Sequence, residues 1–177
     1  RMRIVAGTLR GRPLAGPGPG LDRIRPTSDR VREAVFNILA HGIDGFDIAG
    51  VRVLDLFAGT GAMGIEALSR GAQRCVFVER DRNALVTLRR NIESLGLAER
   101  SEIVQGDALG AASRDADVLI ADPPYGFAGW SDLISRARAP FLVLEADSPV
   151  PDPEGWETVR ERRYGRTHVT FLARASD

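Results

Sequence analysis

The chain of 177 residues has no lysine, one cysteine and two histidines, and only 6% of its residues are aromatic. The lone Cys75 excludes an intramolecular disulfide, and with so few histidines it also excludes a metal site of the usual His/Cys kind. We therefore expect a cytoplasmic protein that holds no metal. No apolar run approaches the roughly 20 residues of a membrane-spanning helix, so we expect no membrane partner.

The charges cancel over the whole chain but are distributed unevenly. Residues 1–32 hold eight Arg and two acidic residues, residues 33–155 hold eleven and nineteen, and residues 156–177 hold five and three. A basic segment ahead of an acidic body indicates a nucleic-acid contact at the amino end, although a merely solvated tail is an equal alternative. The arginines that we expect to bind such a substrate are Arg3, Arg10, Arg12, Arg25 and Arg30.

Segments of strand length alternate with helical patterns from residue 28 onward. Residues 28–40 carry apolar side chains at helical spacing, and Thr27 or Ser28 can cap that helix. This order predicts an α/β fold with an open, mostly parallel sheet, in which ligands bind outside the carboxyl ends of the strands. The predicted strands are VRVLDL (51–56), CVFVE (75–79), EIVQ (102–105), DVLIAD (117–122) and FLVLE (141–145), closed by a hairpin of residues 156–164 and 166–174.

The amino-terminal region has a different pattern. Residues 3–14 predict a small β-hairpin, and GPGPG at 16–20 predicts a loop, because its glycines and prolines suit no regular element. We therefore divide the chain into a basic arm, residues 1–22, and one catalytic domain, residues 23–177, and we expect a monomer. Because the arm precedes the core pattern, we expect it to make few core contacts.

The loop after the first predicted strand contains the glycines of a nucleotide-binding turn. Gly59, Gly61 and Gly64 match G-x-G-x-x-G, and Glu79 follows Gly59 by 20 positions, as the ribose-binding acid of a dinucleotide site does. A nicotinamide oxidoreductase is therefore a competing hypothesis. Asp55 favours another cofactor, because a carboxylate just before the glycines would repel a pyrophosphate at the helix terminus.

S-adenosylmethionine suits these acids better, because it carries a sulfonium and an ammonium group. Glu79 can accept hydrogen bonds from both ribose hydroxyls, and Asp107 can accept one from the adenine amino group. For each acid, the alternative is a helix cap or a solvated strand end. Cys75 lies at the start of a strand, which indicates a core position and argues against a thiolate nucleophile.

The sequence DPPY, residues 122–125, follows the fourth predicted strand directly. By itself it indicates a proline-rich turn that ends a strand. Beside the glycine loop, however, it suits methylation of an exocyclic amino group, whose lone pair must be localised before it can attack. Asp122 and the Pro123 carbonyl can accept its two hydrogens, and Tyr125 offers a ring face to a base that is turned out.

These segments, in this order and spacing, resemble the RsmD family, which methylates guanine N2 in bacterial small-subunit (16S) ribosomal RNA. The most specific part is RPTSDRVREAVFNIL (25–39), followed by DLFAGTGAMGIEALSRGA (55–72), FVE (77–79) and DPPY. The resemblance covers nearly the whole chain. It implies a Rossmann-like class I methyltransferase fold with a seven-stranded sheet and a reversed last strand. It also implies a ribosomal RNA partner, either free or in an assembling small subunit.

The resemblance also implies the residues of the site. The catalytic set would be Asp122, Pro123, Pro124 and Tyr125. The set that binds S-adenosylmethionine, or its product S-adenosylhomocysteine, would be Asp55, Phe57, Ala58, Gly59, Thr60, Gly61, Glu79, Arg80, Asp107, Ala108 and Thr27.

Other functions stay open on the sequence alone. DPPY beside a glycine loop is also found in DNA adenine methyltransferases and is similar to a motif of protein glutamine methyltransferases. A DNA enzyme would usually need a target-recognition domain, for which this chain has no room. An RNA-binding module without catalysis is a further alternative, which the intact Asp122 and Tyr125 disfavour.

Overall fold

The computed structural model describes residues 2–17 and 28–176, and within them an alternation of strands and helices. The described helices are α1 (Asp29–His41), α2 (Ala62–Ser69), α3 (Arg82–Ser94), α4 (Ala108–Ala111) and α5 (Trp130–Arg136), with a 3-10 turn at Ala98–Arg100. The described strands are β1 (Arg52–Leu56), β2 (Arg74–Glu79), β3 (Ser101–Gln105), β4 (Val118–Ala121), β5 (Phe141–Ala146), β6 (Trp156–Tyr164) and β7 (Thr167–Arg174). In these parts of the chain, no helix is both long and apolar enough to span a bilayer.

The seven strands form one sheet in the order β3-β2-β1-β4-β5-β7-β6. Strands β1 to β5 are parallel, whereas β7 is antiparallel to both of its neighbours, β5 and β6. The predicted α/β class, with a mostly parallel sheet and a reversed last strand, is therefore confirmed. The chain order reverses between β1 and β4, which is where ligands bind in open sheets of this kind.

The central strands are apolar because both of their faces are covered by helices. On one face, Val53 of β1 packs with side chains from α1, α2 and α3, and on the other face Leu54 and Leu56 pack with side chains from α4 and α5. Cys75 is 1% exposed and belongs to the first of these clusters, in agreement with the core position predicted for it.

The helix starts follow from polar side chains in the sequence. Ser28 accepts a hydrogen bond from the backbone N–H of Val31 at 3.2 Å, which confirms one of the two predicted caps of α1. Thr27, the other candidate, lies outside the described residues. Asp81 caps α3 in the same way, since its carboxylate accepts the N–H of Ala84 at 2.8 Å. The sequence pattern gave no sign of the short helix α4.

Residues 2–17 pack on the domain and fold back on themselves as the expected small hairpin, in a minimal form with one antiparallel bridge between Arg3 and Pro13 and backbone hydrogen bonds on both sides of it. Ile4 and Leu14 are 1% and 3% exposed and belong to the main core. The expectation of few core contacts is therefore wrong, because apolar side chains of this segment complete the layer over α2. The proposed boundary at residue 22 lies outside the described residues.

The segment is held to α2 by a buried carboxylate. Glu66, which is fully buried, accepts the backbone N–H groups of Val5 and Ala6 at 2.9 and 3.1 Å. The same carboxylate also accepts hydrogen bonds from Arg32 of α1 at 3.2 Å and from Arg70 at 2.8 Å. A buried charge is tolerated only when it is paired and hydrogen-bonded, and this one satisfies both conditions. Glu66 thus joins the amino-terminal segment, α1 and α2.

Candidate active site

A cavity of about 450 Å³ lies at the carboxyl edge of the sheet. Its walls come from the residues that follow β1, β2, β3 and β4, together with the end of β5 and the start of β7. Because the carboxyl ends of parallel strands meet at one edge, segments far apart in sequence face a common space. Representative residues of these six walls are Gly59, Glu79, Asp107, Asp122, Glu145 and Thr167.

The loop after β1 is held in place by Glu79, at the end of β2. One carboxylate oxygen accepts the N–H of Gly59 at 2.9 Å, and the other accepts the N–H groups of Arg80 and Asp81, both at 2.8 Å. Phe57 lies in the left-handed region at φ 58°, a conformation that costs a non-glycine residue about 1–3 kcal/mol. Glu79 therefore organises a strained loop at the same position where it lines the cavity.

The three glycines of the motif have different tasks. A Cβ atom on Gly61 would lie 2.5 Å from Leu88 of α3, and one on Gly64 would lie 2.4 Å from Phe77 of β2, so both glycines are needed for the close approach of α2 to these neighbours. A Cβ atom on Gly59 would meet only the Phe57 carbonyl oxygen, at 4.0 Å. Of the three, Gly59 alone lines the cavity, and Gly59 is therefore the residue whose backbone a ligand can approach.

Asp55 lies beneath this loop and is 2% exposed. Its carboxylate accepts the N–H of Gly64 at 3.1 Å. Burial is the main cause that raises the pKa of Asp55 to about 8; the hydrogen bond from Gly64 opposes this rise, and the nearby charges of Asp122 and Glu79 add to it. A cationic ligand nearby would favour the ionised carboxylate. The set of buried and cavity-lining acids therefore fits a ligand with positive charge.

The DPPY segment and the residues after it form the facing wall. Asp122, Pro123, Pro124 and Tyr125 all line the cavity, and the Tyr125 side chain is 57% exposed. The Asp147 carboxylate, just beyond β5, accepts the N–H of Gly126 at 3.1 Å and so ties the end of this loop to the neighbouring strand. The loop is thus anchored on both sides, while its tyrosine ring faces outward.

A row of three aromatic side chains lines part of the cavity, and sequence reasoning found only one of them, Phe57, and missed Phe127 and Trp130. Phe127 makes edge contacts with Phe57 and Trp130, at centroid distances of 5.1 and 5.0 Å, and all three line the cavity. A signal was available, because Phe127 and Trp130, two of the chain's few aromatic residues, stand within five positions of DPPY. Glu145, Asp147 and Thr167 were also missed, because only the sheet order brings β5 and β7 beside β4.

Most of the predicted site residues are brought together, but some are not. The predicted residues that line the cavity are Phe57, Gly59, Glu79, Arg80, Asp107, Ala108, Asp122, Pro123, Pro124 and Tyr125. Those that support the wall without lining it are Asp55, Ala58, Thr60 and Gly61. Arg25 and Thr27 lie outside the described residues. Arg30 is exposed on α1 next to Val31, which lines the cavity.

Arg3, Arg10 and Arg12 lie away from the cavity. The Arg12 guanidinium donates to the carbonyl of Ser94, the last residue of α3, at 3.2 Å. Thr8 donates its backbone N–H to the carbonyl of Ser69, the last residue of α2. Both helices run from the carboxyl edge of the sheet back to its amino edge, so the segment that carries these arginines lies at the edge opposite the cavity. The contact of the three arginines with a nucleic acid stays a prediction.

The amino-terminal segment nevertheless reaches the glycine loop through one side chain. Asn91 of α3 is 2% exposed, and its amide donates to the carbonyl of Thr60 at 2.9 Å and to that of Ala15 at 3.1 Å. Its amide oxygen accepts the N–H of Ala15 at 2.9 Å. This buried amide therefore braces the glycine loop against the segment that precedes α1.

The strand order, the single reversed strand and the acids around the glycine loop define a class I methyltransferase, which uses S-adenosylmethionine. A family model described as "Conserved hypothetical protein 95" matches residues 2–173. The ribosomal RNA small subunit methyltransferase D of Escherichia coli K12 is 39% identical, over 98% of this chain and 90% of that protein. Its counterpart of the same name in Haemophilus influenzae is 34% identical, over 93% and 89%.

A solved structure agrees with these sequence matches. The yhhF protein of Escherichia coli has a TM-score of 0.83 and 31% identity to this chain, with 99% of both chains covered. The chain therefore belongs to the family that the model describes, which is the RsmD family indicated by its motifs.

Proposed function

We propose that this protein transfers a methyl group from S-adenosylmethionine to the exocyclic N2 of a guanine in small-subunit ribosomal RNA. The observation that carries the proposal is the position of Asp122–Tyr125 on one wall of a cavity whose other wall holds Gly59, Glu79 and Asp107. The names of the relatives support ribosomal RNA as the substrate. Such a reaction belongs to the cytoplasm, in agreement with the composition.

The wall formed after β1, β2 and β3 would hold the cofactor. Both lone pairs of the Glu79 Oε2 atom accept backbone N–H groups, but Oε1 accepts only one, so Oε1 can also accept a ribose hydroxyl. Asp107 is exposed within the cavity and is free to reach an adenine amino group. Asp55, beneath the loop, would become ionised when the cationic cofactor binds, because a nearby positive charge favours the carboxylate. When bound, S-adenosylmethionine supplies a methyl group that is attached to a cationic sulfur.

The wall formed after β4 would act on the base. The exocyclic nitrogen of guanine is a weak nucleophile because its lone pair is delocalised into the ring. Asp122 and the Pro123 carbonyl can each accept one of its hydrogens, which favours a geometry with a localised lone pair. Asp122 also stabilises the positive charge that develops on the nitrogen. No strong base is needed, because the proton can leave after the methyl group has been transferred.

Tyr125 would hold the base by stacking. Its ring is largely exposed at the cavity, as required of a surface that must meet a base turned out of its strand. Replacing an aromatic ring that stacks on a base typically costs about 1–3 kcal/mol of binding. Tyr125→Phe should therefore be mild, because it keeps the ring face.

The experiment that tests the proposal is a mass-spectrometric map of modified nucleotides in ribosomal RNA from cells that lack this protein. We expect one N2-methylguanosine of the small-subunit RNA to disappear and to return when the purified protein and S-adenosylmethionine are added. Supplying free RNA and partly assembled subunits in parallel shows which form is the substrate. Loss of a methylated adenine, or an unchanged map, contradicts the proposal.

A further inference from the structure

Glu145 is a buried acid at the cavity for which the cofactor-binding wall provides no role. It is 2% exposed, it is the fifth residue of β5, and it lines the cavity. Acidic side chains are almost never buried to this degree unless their oxygen atoms are paired or hydrogen-bonded, within the protein or with a ligand. Its place, on the far side of β4 from the glycine loop, separates it from Glu79 and Asp107.

The strand register places Glu145 beside Asp122. Ala121 of β4 is paired with Leu144 of β5 in a parallel ladder, so the next residue of each strand, Asp122 and Glu145, continues along the same edge. On the other side, Glu145 is paired with Val169 of β7, and Thr167 at the start of β7 also lines the cavity. Two acids and a threonine thus border the part of the cavity where the base would lie.

The Watson–Crick edge of guanine presents two adjacent kinds of donor, the N1–H and the N2 amino group. Adenine presents an unprotonated N1 at the corresponding position, and so does 2-aminopurine, which nevertheless keeps the 2-amino group. An ionised carboxylate offers only acceptors. An acid next to Asp122 can therefore accept the guanine N1–H, whereas it would face a lone pair in either of the other two bases.

We propose that Glu145 selects guanine by accepting its N1–H, while Asp122 accepts the amino group that becomes methylated. This inference rests on the proposed function and names the residue that would give that site its base specificity. A buried acceptor that loses its donor is a strong source of discrimination, because the polar group is left without its partner in the complex.

The test uses small-subunit ribosomal RNA with one substituted nucleotide at the mapped position, in the form that the wild-type protein methylates. Single-turnover methyl transfer is measured with guanosine, 2-aminopurine riboside or inosine at that position. We expect the wild-type protein to prefer guanosine over 2-aminopurine by about 100-fold or more. Glu145→Gln, whose amide can donate to an unprotonated N1, should reduce that preference at least 10-fold. The exposed Glu157→Gln serves as the matched control.

The outcomes separate this inference from the proposed function. Inosine has no 2-amino group, so methylation of inosine at the mapped position would overturn the N2 assignment itself. If inosine is inert, equal transfer to guanosine and 2-aminopurine by the wild-type protein overturns the role of Glu145, even if the variant does not fold. An unchanged preference in a folded Glu145→Gln protein that binds S-adenosylhomocysteine normally has the same consequence, because a purely structural role would leave the preference unaltered.

Discussion

The two halves of the carboxyl edge use acidic residues in different ways. In the half formed by β1 and β2, Asp55 and Glu79 accept backbone N–H groups and hold a strained glycine loop. In the half formed by β4 and β5, Asp122 and Glu145 line the cavity beside a loop that Asp147 anchors. Under the proposed function, the first half would shape the cofactor site, whereas the second would present charge to the reacting amino group.

The largest effect that we expect concerns Asp55 and stability. Because the pKa of Asp55 is about 8 in the folded protein and its ordinary value is 3.8, the folded protein binds this proton more tightly than the unfolded chain. The free energy of unfolding should therefore fall as pH rises from about 4 to about 8. Between pH 5 and pH 8 the loss is on the order of 4 kcal/mol.

Asp55→Asn should remove this dependence and leave the protein without its cofactor more stable at pH 8, while weakening S-adenosylhomocysteine binding. Chemical denaturation at the two pH values, with calorimetry of the ligand, measures both effects. The exposed Asp44→Asn is the control. If the free energy of unfolding changed with pH in the same way for Asp55→Asn and the wild type, burial would not raise the pKa of Asp55.

The next effect concerns the rate of methyl transfer. Asp122→Asn keeps the shape of the side chain but removes the charge that stabilises the developing ammonium, so the single-turnover rate should fall about 100- to 1000-fold. Binding of S-adenosylhomocysteine should change little, because Asp122 belongs to the other half of the edge. A wild-type rate in Asp122→Asn would mean that DPPY is only a structural turn.

Glu79 provides the matching test of the first half. Glu79→Ala should weaken S-adenosylhomocysteine binding by about 1–3 kcal/mol, the scale of lost hydrogen bonds to a charged group. Glu79→Gln should lose less, because its amide oxygen can still accept the Gly59 N–H. The exposed Glu99→Gln serves as control, and calorimetry is the measurement. If the transfer rate at saturating cofactor also fell 100-fold, the division of labour between the two halves would not hold.

The smallest effect that we expect is on the salt dependence of RNA binding, and it concerns exposed arginines at the two edges of the sheet. Arg162 and Arg166 are exposed near the end of β6, at the edge that carries the cavity, whereas Arg10 and Arg12 are exposed at the opposite edge. Replacing Arg162 and Arg166 by Gln should lower the salt slope of RNA binding by about one unit for each phosphate contact that is lost.

The same double replacement of Arg10 and Arg12 decides whether the amino-terminal segment shares this role. The measurement is the affinity for a small-subunit ribosomal RNA fragment at several salt concentrations. If only the amino-terminal pair lowers the slope, RNA approaches from the amino edge and the placement of the contact surface beside the cavity is wrong.

The sequence predicted the sheet well because each strand is a short apolar run that ends in a polar or glycine-rich segment. It also predicted most of one wall, since Gly59 and Glu79 are linked by a fixed spacing around β1 and β2. It could not predict Glu145 or Thr167, because their place depends on β5 and β7 lying next to β4, which no local pattern encodes. The core contacts of the amino-terminal segment were misjudged because Ile4 and Leu14 lie in short apolar stretches without helical or alternating periodicity.

The buried Glu66 also has a consequence for the order in which the chain matures. Its partners Val5 and Ala6 precede it by 61 and 60 residues. At synthesis rates of roughly 5–20 residues per second, the amino-terminal segment leaves the ribosome several seconds before the carboxylate that will hold it exists. Ile4 and Leu14 therefore lack the α2 side of their core until α2 has emerged. During translation, this segment waits for a partner that is made later before it can reach its final packing.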